Sequence, residues 1–168
     1  MHDATTGAAQ GVAGRYLTVY LNDHLAGSTA VVELTRRAAA EHAGTDLGAF
    51  LTGLATEIAE DRQALRRLME ATGTRPQVAK VAVAWIGEKA GRLKLNGRLL
   101  QRSPLTPLVE LEAIATGIHG KRLLWQLFRD RRLPGSAAID LDALIARATR
   151  QLADIEPHRL AAASALDD

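Results

Sequence analysis

The stretch DLGAFLTGLATEIAEDRQALRRLM, Asp46–Met69, decides the fold. Leu47, Phe50, Leu51, Leu54, Ile58, Leu65, Leu68 and Met69 recur at three- and four-residue spacing, which at about 100° per residue gathers them into one helical stripe. Asp61 falls inside that stripe and Glu57 on its shoulder, while Glu60 points the opposite way, toward solvent. A carboxylate in an apolar stripe needs a cation, a metal or several hydrogen bonds, because an unpaired buried charge is too costly to keep. What Asp61 faces is therefore the functional question the sequence poses.

Outward from this helix, the same periodicity marks its neighbours. A first helix is expected from about Arg15 to His42, with Leu17, Tyr20, Leu21, His24, Val31, Thr35 and Ala38 inward and His24 at the centre. Residues 1–14, small and glycine-bearing, read as a flexible lead-in. Gly44 and Thr45 break the pattern, Asp46 is a good N-cap for the second helix, and Thr72–Gly73 end it. After Pro76 a third helix carries Val78, Val81, Ala82, Trp85, Leu99 and Leu100, with Lys89, Arg92 and Asn96 on the same line and Glu88 beside it. A fourth, Leu108 to about Arg131, turns Leu108, Leu111, Ala115, Ile118 and Trp125 inward, with Glu112 and His119 alongside and Arg122 within the stripe. A last helix, Asp140 to Ile155, has the stripe Leu141, Leu144, Ile145, Ala148, Leu152 and Ile155, and Pro157 is expected to kink or restart it.

These elements predict an all-α protein: an antiparallel four-helix bundle over residues 15–132, with an additional C-terminal helical extension over 133–168 that packs on the bundle or on a partner subunit. Small residues offer it a seat, Ala84, Gly87 and Gly91 on the third helix and Ala113, Gly117 and Gly120 on the fourth.

Composition narrows the function classes. With 168 residues, 47% of them hydrophobic, there is enough chain to bury one core, and only 4% aromatics beside abundant Ala, Leu and Arg favours helices. Lack of cysteine excludes disulfides, thiolate zinc sites and cysteine nucleophiles, and makes the cytoplasm the expected location. No signal peptide and no span for a membrane is visible. A net charge of +2 is too small to imply nucleic acid, although the sequence pI is about 9.3. The basic run Lys121, Arg122, Arg129, Arg131 and Arg132 suits the C-terminal end of a helix dipole. There is no phosphate-binding glycine loop and no nucleophile elbow.

Two readings compete for the polar residues on the inward faces. In one, His24, Glu57, Asp61, Glu88, Glu112 and His119 converge from the helices on iron or manganese, as in di-metal carboxylate bundles. In the other, Asp61 is neutralised by Lys89, Arg92 and Arg122 in an internal network that needs no cofactor. The second explains why cations share the core line, because a cation beside two carboxylates repels a divalent metal. A third, a small-ligand pocket, uses the same polar interior.

The chain resembles the ferritin-like superfamily, in particular uncharacterised bacterial ferritin-like proteins. The likeness rests on Tyr20-Leu21-Asn22-Asp23-His24-Leu25-Ala26-Gly27, on Glu57-Ile58-Ala59-Glu60-Asp61, on Trp85-Ile86-Gly87-Glu88-Lys89 with Leu93-Lys94-Leu95, and on Leu111-Glu112 through Gly120-Lys121 to Leu124-Trp125. It implies a four-helix bundle and, position by position, metal ligands only at Glu57, Glu88 and Glu112. The family's Glu-x-x-His is not met: Glu60 follows Glu57 at the third place and Ala115 follows Glu112, the first helix has His24 and no inward Glu, and the second and third helices are joined by a link shorter than the ferritin crossover. The expectation is thus a non-catalytic structural or interaction protein, homodimeric, with an ion-pair interior and no resident cofactor. A metal-binding oxidoreductase is the alternative and a ligand-binding bundle the second alternative.

Overall fold

The computed structural model describes residues 3–77 and 103–166. Over these it is all-helical, with α1 Asp3–Glu41, α2 Asp46–Ala71, α3 Thr106–Arg131 and α4 Leu141–Ala162, a 3-10 turn at Ser136–Ala138 and another at Ala163–Leu166. The third helix read from the sequence, with Glu88, Lys89, Arg92, Trp85 and the Ala84, Gly87, Gly91 strip, lies outside the described residues.

Helix α1 starts at Asp3, so it takes in most of the stretch read as a lead-in. Ala8, Ala9, Gln10 and Ala13 are strong helix formers, enough to continue a helix anchored further on. Its core line is also rotated from the expected one: Leu21, Leu25, Val32, Thr35, Ala38 and Ala39 are buried. His24 stands half-buried on the flank instead of at the centre. Helix α2 follows its sequence pattern closely, burying Leu51, Leu54, Ile58, Asp61, Leu65, Leu68 and Met69. Its N-cap is Thr45, one residue before the expected Asp46, with the Thr45 hydroxyl accepting from Gly48 N–H at 3.1 Å. Asp46 occupies the first turn, where a carboxylate suits the positive end of the helix.

The chain leaving α2 is tied back to α1 by Asn22, whose amide donates to Arg75 C=O at 3.2 Å and whose side-chain oxygen accepts from Gln77 N–H at 2.6 Å. Between α3 and α4, Gly135 adopts φ 83°, a left-handed conformation that a side chain disfavours. Asp140 then caps α4, accepting from Ala143 N–H at 3.0 Å. Helix α4 runs on through Pro157 to Ala162, past the kink expected there.

Side-chain pairs fix the directions. Glu57 meets Arg150 and Gln151 while Glu60 meets Arg147, so α2 and α4 are antiparallel. Glu112 meets Arg159 and Lys121 meets Gln151, so α3 and α4 are antiparallel. Arg37 meets Glu110 and Val31 packs at Gly117, which makes α1 and α3 antiparallel too. It follows that α2 and α3 run parallel, and the chain leaves α2 at one end of the bundle to enter α3 at the other. The expected alternation had the second and fourth helices parallel in the same way.

Two apolar layers fill the interior. One joins Leu21, Leu25, Leu65, Leu68, Met69, Leu124, Trp125, Phe128, Leu141 and Leu144; the other joins Val32, Leu51, Leu54, Ile58, Leu111, Ile114, Ile118, Ala148 and Ile155. Helix α4 contributes to both, through Leu141 and Leu144 to one and Ala148 and Ile155 to the other. The small strip on α3 serves a different neighbour from the one expected: Gly117 faces Val31 of α1, and a Cβ added at Gly120 meets nothing within 4 Å. No described helix is long and apolar enough to cross a membrane.

Candidate functional site

Between the two apolar layers, at mid-height, lies a layer of charge. Asp61 sits on α2 one helical turn from Ile58 and one from Leu65, so the apolar stripe itself carries it inward, to 2% exposure. Lys121 reaches it from α3, where Ile118 and Trp125 place the position between them on the buried face. Arg147 reaches it from α4, one residue before the buried Ala148. Lys121 donates to Oδ2 of Asp61, and the Arg147 guanidinium is ion-paired with Oδ1, so both oxygens are held by cations of this chain.

The pairing spreads outward from there. Lys121 also donates to the Gln151 side-chain oxygen at 2.6 Å, and the Gln151 amide donates to Glu57 Oε2 at 2.8 Å. Arg150 donates to Glu57 Oε1 at 2.5 Å, and Arg147 donates to Glu60 Oε2 at 2.9 Å. Gln151 is 1% exposed, and its amide works as a relay because it accepts from a cation at one end and donates to a carboxylate at the other. Three carboxylates on α2, at 57, 60 and 61, are thereby matched by Lys121, Arg147 and Arg150. The charge stays inside the bundle because nearly every member has a partner.

Burial pulls the Lys121 ammonium below its ordinary pKa, the Asp61 charge and hydrogen bond oppose that, and Arg147 adds to the lowering. Chemically the layer is an ion-pair network in which each of the three carboxylates meets a cation, while Asp61 Oδ1 and Arg147 Nε make no hydrogen bond. It clamps three helices in register, and charge-assisted hydrogen bonds of this kind are the stronger ones.

The residues expected to gather round a metal are dispersed. His119 is exposed and its Nδ1 lies 3.1 Å from Arg122 on the same surface. Glu112 is exposed and accepts from Arg159 at 3.4 Å. His24 packs edge-on to Tyr20 with ring centroids 4.6 Å apart. Only Glu57 and Asp61 of that set reach the layer, and they meet cations there, while Glu88 is outside the described residues. Among the described residues no group of three or more His, Asp and Glu side chains is placed to hold an ion.

Of the residues expected in the internal network, Asp61 is buried among cations and Arg122 lies away from it. Lys89 and Arg92 lie outside the described residues. Arg122 is half-buried at the α3 surface beside His119, because one residue along a helix turns a side chain by about 100° and it is Lys121 that faces inward. Arg147 and Gln151 were not singled out from the sequence. A signal was present for Gln151: it continues the line Leu144, Ala148, Ile155 at helical spacing, a polar residue where the period demands an apolar one.

The chain matches no protein-family model, no curated protein and no solved structure.

Proposed function

We propose that this is a non-catalytic structural or interaction protein, a ferritin-like bundle whose mid-height interior is closed by its own ion pairs. The carrying observation is that both oxygens of Asp61 are taken, one by Lys121 and one by Arg147. Two cations beside that carboxylate neutralise it and oppose the approach of a divalent ion. The ferritin-like arrangement is supported by two antiparallel hairpins, α1 with α2 and α3 with α4, with α2 and α3 parallel. A cytoplasmic homodimer belongs to the same proposal. The exposed Leu123 and Leu127, on the α3 flank that carries Gly120, support an apolar contact between copies.

The deciding experiment is metal analysis of purified protein before and after addition of ferrous iron or manganese. Substoichiometric metal and an unchanged melting temperature are expected. Binding of one or two ions per chain, lost in Glu57→Ala and Glu112→Ala, would overturn the proposal in favour of a metal-binding oxidoreductase. Sedimentation equilibrium tests the homodimer.

A further inference from the structure

The outward face of α3 carries an apolar line that takes no part in the two interior layers. Val109, Ala113, Thr116, Gly120, Leu123 and Leu127 follow one another in alternating steps of four and three residues, the spacing of a coiled-coil seam, on the side away from Leu111, Ile114, Ile118 and Trp125. Val109 and Leu127 are each 40% exposed and Leu123 50%, and Ala113 and Thr116 are exposed with them. No charged residue interrupts the line.

Two details set it apart from scattered surface. Thr116 donates its hydroxyl to the Glu112 C=O at 2.8 Å, so the one polar side chain on the line can leave water and keep its partner. Gly120 stands inside a helix, where glycine is disfavoured relative to alanine, and among the described residues a Cβ added there meets nothing within 4 Å. Val31 of α1 accounts for Gly117 and leaves Gly120 without a neighbour that requires it.

The order of sizes along the line fits a second copy of the same helix. With the two helices antiparallel about a two-fold axis at the middle of the line, Val109 meets Leu127 of the second copy, Ala113 meets its Leu123 and Thr116 meets its Gly120, and each pair recurs on the other side of the axis. Every pair then sets a larger side chain against a smaller one. Parallel pairing would instead set Leu against Leu at one end and Gly against Gly one turn earlier, a wedge beside a gap. Thr against Gly at the axis lets the helices approach to about 8 Å. The charges at the edge are engaged within the chain, Glu112 by Arg159 and Arg129 by Asp130 and Asp142, so they need nothing from the second copy.

We propose that two copies of this chain pair through the outward faces of their α3 helices, antiparallel and in this register. The proposal rests on the homodimer of the preceding reading and names its contact. Lys121 and its pairing with Asp61 lie on the inner side of α3 and take no part.

The test is sedimentation equilibrium and thiol cross-linking of the full chain, which has no cysteine of its own. The parent should sediment at twice its 18.0 kDa. Leu123→Glu combined with Leu127→Glu should weaken association at least about a hundredfold with helix content unchanged. Gly120→Leu should weaken it too, whereas Leu160→Glu, at an exposed position on α4, should not. Val109→Cys and Leu127→Cys should form a disulfide when mixed and neither alone, because position 109 of one copy lies beside 127 of the other while like positions stand about 27 Å apart along the helix axis. A disulfide in either variant alone, or none in the mixture, overturns the register. A dimer that survives Leu123→Glu with Leu127→Glu, or that Leu160→Glu dissociates, overturns the face and leaves the homodimer standing. A monomeric parent overturns both, and a lowered melting temperature of its Leu127→Glu variant would then assign the face to other residues of the same chain.

Discussion

Lys121 and Asp61 are ion-paired between α3 and α2 with side-chain exposures of 11% and 2%, so each is the other's substitute for water. Removing one partner strands the other. Lys121→Met is expected to cost about 3 kcal/mol, at the lower end for a broken buried pair because Arg147 still holds Oδ1. The double variant Asp61→Leu with Lys121→Met should recover most of that loss, since hydrophobic replacement of a buried pair is often neutral or better. Urea unfolding of the parent, both single variants and the double variant gives the coupling directly. A Lys121→Met variant that unfolds like the parent would mean the pair is solvated and contributes nothing.

Gln151 is the relay between Lys121 and Glu57, and it has no slack at 1% exposure. Gln151→Leu keeps the volume and removes both hydrogen bonds, leaving one lysine proton and one carboxylate oxygen without their partners. The expected cost is about 1–3 kcal/mol. Gln151→Glu should cost less at Lys121 and more at Glu57, where a second carboxylate repels the first. Equal stability of all three proteins in urea would show that water replaces the relay.

Much of this architecture was readable in the chain. The period of α2 named its buried face nearly residue by residue, and Asp61 as the anomaly in that face, because a long uninterrupted apolar repeat admits one phase. The partners of Asp61 were harder to see. Lys121 stands among Arg122, Arg129, Arg131 and Arg132, where a sequence shows charge but not which member the helix turns inward. Arg147 lies between Ala146 and Ala148, too small to advertise a face. In α1 the alanines 38, 39 and 40 blur the phase in the same way, and the expected core line was placed through His24 when it runs through Leu25 and Val32. Long-range ion pairing depends on which helix faces which, and that is decided by the whole packing and not by any one stripe.

Where α1 crosses α3, a missing side chain sets the approach. A Cβ at Gly117 would lie 2.3 Å from Val31 Cγ2, and a β-branched side chain has little freedom to withdraw. Gly117→Ala improves helix propensity but forces the two helices apart, with a net cost of about 1–3 kcal/mol. Adding Val31→Ala removes the clashing methyls, and the double variant should melt above Gly117→Ala alone. If Gly117→Ala melts above the parent, the two helices are not in close contact at this level.

His24 gives the bundle a pH response on the acid side. Burial holds its imidazole below the ordinary pKa, with the neighbouring Asp23 opposing, so protonation is easier in the unfolded chain than in the folded one. The unfolded state then binds more protons between the folded pKa and about 6.5, and stability rises with pH through that window and falls as the solution is acidified below it. Unfolding free energies measured from pH 7 down to about 5.5 should therefore decline in the parent before most carboxylates titrate. His24→Phe keeps the aromatic contact with Tyr20 and should flatten that slope. A slope unchanged in His24→Phe would assign the response to another group.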